Sequence, residues 1–73
     1  MPKLPRISGA EAIRAFGQLG FVKVRQSGSH VVLRRGASGC VVPLHRELKT
    51  GTLAGTLRQA GVSAEEFIAA LRV

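Results

Sequence analysis

A chain of 73 residues is long enough for one small domain and too short for two. It is 45% hydrophobic with three Phe and no Trp or Tyr, so any core must be thin and built mainly from Val, Leu, Ile and Ala. Eleven Lys and Arg against four acidic residues leave a net charge of +7, which suits RNA, DNA or an acidic protein surface without choosing among them. Cys40 is alone, which excludes an internal disulfide and a cysteine-paired metal site and points to a reducing compartment. A small buried strand residue is its expected role. The N-terminus has charge and prolines but no apolar run of the secretory kind, and no segment is apolar enough to span a bilayer, so we expect a cytoplasmic protein with no membrane partner.

The whole of 1–73 reads as one domain, opened by an extended lead-in over residues 1–7 whose prolines discourage helix. Ser8 and Glu11 have the spacing of a capping box. Behind them Ile13, Phe16 and Leu19 form one apolar stripe, and Gly20 stops the helix. A first strand over residues 21–25 alternates Val22 and Val24 with Lys23 and Arg25, which predicts valines inward and an outer cationic face. Ser27 and Gly28 make a tight turn that delivers Ser29 and His30 at the head of a second strand. There His30, Val32 and Arg34 share one face, opposite Val31, Leu33 and Arg35. After the glycine-containing turn 35–39 a third strand is expected over Cys40 to Leu44, and Pro43, which cannot donate to a ladder, marks its end or an edge.

A charged connection, His45 to Lys49, leads to a second helix with Thr50 as its expected cap, Leu53 and Leu57 one turn apart, and Gly61 at its end. A third helix follows from a second capping box, Ser63 with Glu66, with a hydrophobic staple between Val62 and Phe67 and with Phe67, Ile68 and Leu71 inward. The predicted class is α+β in the order α-β-β-β-α-α, a three-stranded antiparallel sheet with its helices on one face.

Several chemistries are excluded by what is missing. Three of the four acidic residues, Glu11, Glu65 and Glu66, belong to first helical turns and only Glu47 lies in a loop, so no carboxylate set remains for a two-metal nuclease, a glycosidase or a Ser-His-Asp triad. The segment Gly51-Thr52-Leu53-Ala54-Gly55 lacks the lysine of a phosphate loop. A histidine with cationic and hydroxyl neighbours remains, and that set suits metal-free cleavage of RNA, whose 2′-hydroxyl is the nucleophile. A neutral imidazole takes the hydroxyl proton while Lys and Arg offset the charge on phosphorus. His30 is the candidate acid/base, with Gln26 and Ser29 positioning it and Lys23, Arg25 and Arg34 contacting phosphate. His45 is open to three readings: a second acid/base group, a phosphate ligand grouped with the RNA-contacting residues, or an ordinary loop residue, which is the simplest. No metal or other cofactor is called for.

The Gly28-Ser29-His30 turn between two strands, behind a helix ending Leu19-Gly20-Phe21, resembles the HicA family of small bacterial toxins. Pro43-Leu44-His45, Glu47-Leu48, Gly51-Thr52-Leu53 and the run from Leu57 to Ser63 resemble the family's C-terminal pattern, so the similarity spans roughly Ser8 to Leu71. The resemblance implies a double-stranded-RNA-binding-domain-like fold and a metal-independent messenger-RNA endoribonuclease with its catalytic histidine at His30. It also implies neutralisation by a HicB-like antitoxin. Two other classes stay open: a non-catalytic RNA-binding module, since such a fold binds duplex RNA without cutting it, and a basic interaction module for an acidic protein. The scarcity of aromatic residues argues against single-strand binding by base stacking.

Overall fold

The computed structural model describes residues 3–73, so Met1 and Pro2 of the lead-in lie outside the described residues. The elements follow the expected order: α1 (Gly9–Gln18), β1 (Val22–Ser27), β2 (His30–Arg35), β3 (Ser38–Pro43), α2 (Thr50–Ala60) and α3 (Ala64–Leu71). The strands form one antiparallel meander in the order β1-β2-β3. This α+β arrangement is consistent with a double-stranded-RNA-binding type of fold.

Local chemistry sets most of the helix boundaries. Ser8 Oγ accepts from the Glu11 N–H at 3.1 Å and Glu11 Oε1 accepts from the Ser8 N–H at 2.9 Å, and Ser63 and Glu66 make the same reciprocal pair at 3.1 Å each way. Two otherwise orphaned amides are satisfied at each start. Thr50 is not the cap of α2 but its first residue; Lys49 precedes it and makes no side-chain capping bond, because an ammonium cannot accept one.

The core lies between the helices and the inner face of β2 and β3. Val31 is paired with Val42 and Leu33 with Cys40, and all four are buried beneath Phe16, Phe67, Leu53 and Leu57. Phe16 stands at its centre, with ring centroids 5.2 Å from Phe21 and 5.1 Å from Phe67, in the tilted geometries that aromatic rings prefer. Ile68 and Leu71, expected inward with Phe67, are only partly buried. At the margin Arg35 lies 4.7 Å over the Phe21 ring and donates to the Leu19 carbonyl at 2.8 Å. Its side chain lies along the core's edge while remaining exposed, on the face opposite Arg34.

The first strand departs from the alternation read in the sequence. Ser27 pairs with His30, Gln26 with Val31 and Arg25 with Val32, but Lys23 pairs with Leu33 and Val22 with Arg34, leaving Val24 as an extra residue in a β-bulge. One inserted residue reverses the face of everything beyond it. Val22 is therefore turned to the open face and is 60% exposed, and Val24 is 52% exposed; neither joins the core. Lys23 moves to the inner register, where β1 is exposed along its whole length. At the opposite edge α2 covers β3, and Gln59 Oε1 accepts from the Val41 N–H at 3.1 Å.

Candidate nucleic-acid interface

The sheet face opposite the core carries three cross-strand rows: Ser27, His30 and a buried Pro43; Arg25, Val32 and Val41; Val22, Arg34 and Gly39. His30 sits in the middle of the first row, exposed, on the face opposite Val31 and the core. A turn of two residues, Gly28 and Ser29, puts it there. Gly28 has φ 59° and Ser29 does not share the left-handed region, which is the pattern of a turn with glycine at its first central position. Gln26 Nε2 donates to the Gly28 carbonyl at 3.1 Å and braces the turn from within.

The other side of the turn is tied down as well. The Leu44 N–H donates to the Ser29 carbonyl at 2.6 Å, so the β2–β3 ladder continues one step beyond Pro43. His30 and Pro43 occupy the position between that bond and the Val31–Val42 pair, where an antiparallel ladder needs no N–H. Proline is tolerated there because its missing donor would have had no partner.

Among the cations expected at the site, Arg25 and Arg34 share the face of His30 and Lys23 does not, by the register of the bulge. Arg25 lies one row from His30 and Arg34 two rows away, which at the usual strand spacing puts Arg34 about 13 Å along β2. His45 is exposed in the loop after β3, and its carbonyl accepts from the Gly9 N–H at 2.9 Å. Ser27 is the residue the sequence reading assigned only to the turn; the two-residue turn makes it the direct cross-strand neighbour of His30. Gly28 in the first of two central positions was the signal for that pairing.

A shallow cleft of about 390 Å³ lies elsewhere, lined by Arg6, Glu47, Lys49 and Thr50, and none of the residues expected at the site lines it. The open face is of mixed Arg, Val and His character, and its two guanidinium groups suit contact with an extended polyanion. Among the described residues no group of His, Cys, Asp and Glu side chains comes together that could hold a metal ion. Cys40 is buried against the helices, and burial pushes its thiol up to about 11. No helix among the described residues is long and apolar enough to cross a membrane.

No curated protein matches the chain. A family model described as the HicA toxin of bacterial toxin-antitoxin systems matches residues 9–62. The matched segment starts at the first residue of α1 and ends just beyond α2, so it contains the whole sheet, the His30 turn and the His45 loop. The chain belongs to the HicA toxin family, and as the toxin of a toxin–antitoxin pair it has an antitoxin for a partner.

Proposed function

We propose that this toxin is a metal-independent endoribonuclease of messenger RNA in which His30 is the general acid/base and the open sheet face receives the RNA backbone. The observation that carries this reading is the placement of His30: solvent-exposed, braced on both sides of its turn, and on the face of Arg25 and Arg34. The neutral imidazole accepts the 2′-hydroxyl proton as that oxygen attacks phosphorus, Arg25 one row away stabilises the charge that accumulates on the phosphoryl oxygens, and Arg34 two rows away holds a neighbouring phosphate. A messenger-RNA substrate places this work in the cytoplasm.

The test is cleavage of RNA in the presence of a chelator. His30→Ala is expected to lower the rate by about 10²–10⁴-fold, the usual contribution of general acid–base catalysis, with an unchanged circular dichroism spectrum. Undiminished cleavage by the variant, or strict dependence on added divalent metal, would falsify the mechanism.

A further inference from the structure

The geometry points to His45 as the second catalytic histidine, the general acid that protonates the departing 5′-oxygen. This assignment rests on the reading of His30 as the base, and it replaces the simplest view of His45 as an ordinary loop residue.

The ladder provides the first argument. Pro43 is paired with His30, and Leu44 is hydrogen-bonded to Ser29 in the next step. His45 is the next residue and is exposed, as His30 is, so its backbone lies one residue beyond the step that bonds Leu44 to the turn carrying His30. A pair outside the ladder's hydrogen bonds separates Cα atoms by about 4.5 Å. Two further residues of chain add at most about 6.6 Å. Together these put the two histidine Cα atoms roughly 8 Å apart. Their side chains can then approach one phosphodiester from two sides, each within a hydrogen bond of about 3 Å of its oxygen.

The second argument is rigidity. The loop is pinned at Leu44 by Ser29, at the His45 carbonyl by the Gly9 N–H at 2.9 Å, and at Leu48, whose N–H donates to the Ile7 carbonyl at 2.7 Å. Gly9 allows the close approach: a Cβ there would overlap the Pro43 carbonyl oxygen and stand 2.9 Å from the Leu44 Cα. These three anchors, on the β1–β2 turn, the start of α1 and the lead-in, fix the His45 backbone relative to His30. Glu47, the one loop carboxylate, is turned to Arg6 at 3.4 Å.

The chemistry balances without any further reagent. The 2′-oxygen forms a bond to phosphorus and gives its proton to neutral His30. The bond from phosphorus to the 5′-oxygen breaks, and the His45 imidazolium donates its proton to that oxygen. A 2′,3′-cyclic phosphate and a 5′-hydroxyl result, and water returns the proton from one histidine to the other.

A short single-stranded RNA carrying sulfur in place of the 5′-bridging oxygen, at the linkage the wild-type protein cuts most readily, tests the assignment. Sulfur leaves without protonation. His45→Ala is expected to cut the all-oxygen RNA about 10²–10⁴-fold more slowly and the sulfur-linked RNA within a few-fold of wild type, whereas His30→Ala fails on both. Circular dichroism checks the fold, and His45→Gln, which keeps size and polarity but cannot act as an acid, repeats the test if the alanine variant is unfolded. Equal losses on both linkages would make His45 a phosphate ligand or a structural residue, and full activity on the oxygen linkage would make it a bystander; either overturns the proposal. A wild-type protein that cuts neither RNA overturns the ribonuclease reading itself, an outcome distinct from the other two.

Discussion

Glu11 and Glu66 illustrate how single residues contribute here. Each carboxyl is held below the ordinary Glu range, first by the backbone N–H of its serine cap and then by the serine hydroxyl, with Arg14 and Arg35 adding smaller electrostatic help. A carboxylate with a lowered folded pKa contributes stability that is present above the unfolded value of about 4.3 and lost as pH falls through the folded one. The domain should therefore lose thermal stability as the pH drops below about 4. Ser8→Ala and Ser63→Ala should each cost about 1 kcal/mol at neutral pH, a shift of roughly 4–8 °C for a domain of this size. The double variant should also show a shallower acid dependence, checked by melts from pH 7 to pH 2. An unchanged acid slope in the double variant would mean that these boxes do not set it.

At the scale of the element, the bulge at Val24 decides which cations act together. A regular ladder extended from Ser27 and His30 would have paired Val24 with Leu33 and kept Lys23 and Arg25 on one face. The observed register separates them. If RNA lies on the open face, Arg25→Ala and Arg34→Ala should each flatten the dependence of log affinity on log salt by about one unit, and Lys23→Ala should leave it nearly unchanged. Filter binding across a salt series with the catalytically silent His30→Ala background would measure all three. An equal effect from Lys23 would place the RNA around the β1 edge instead.

For the whole molecule, charge and exposure bear on the antitoxin. The protein carries +7, and one exposed ion pair, Arg6 with Glu47, occurs among the described residues. Exposed pairs of this kind contribute little to stability, and Arg25 and Arg34 on the open face are both exposed. An acidic HicB-like antitoxin that covers His30, Arg25 and Arg34 would be steered to the open face and would exclude RNA from it. A stable complex of that kind should bury roughly 1,200–2,000 Å² in total. Co-expression with an acidic HicB-like antitoxin, affinity capture and a cleavage assay on the purified complex are expected to yield an inactive pair, with Arg25→Glu and Arg34→Glu weakening it. An intact complex that still cuts RNA would show that the antitoxin works by something other than occlusion.

What the sequence determined by itself was short-range. Serine and glutamate three apart specify a helix start because both partners of the capping bonds lie within one turn, and Gly28 and Pro43 mark a turn and a strand end by properties of their own backbones. Element order, the buried Cys40 and the exposed head of β2 at His30 followed from such signals. Register is different, because it depends on which residue of one strand meets which residue of another. Nothing in Val22-Lys23-Val24-Arg25 announces an unpaired residue, and the pairing with β2 alone turned Val22 outward and Lys23 inward. The same holds for His45, whose position beside the His30 turn depends on Leu44 bonding to Ser29 and on Gly9 pressing against the loop from a helix more than thirty residues earlier in the chain. Only the assembled tertiary structure brings those three segments together, since the bonds that hold them join backbone groups whose identity the side chains do not encode.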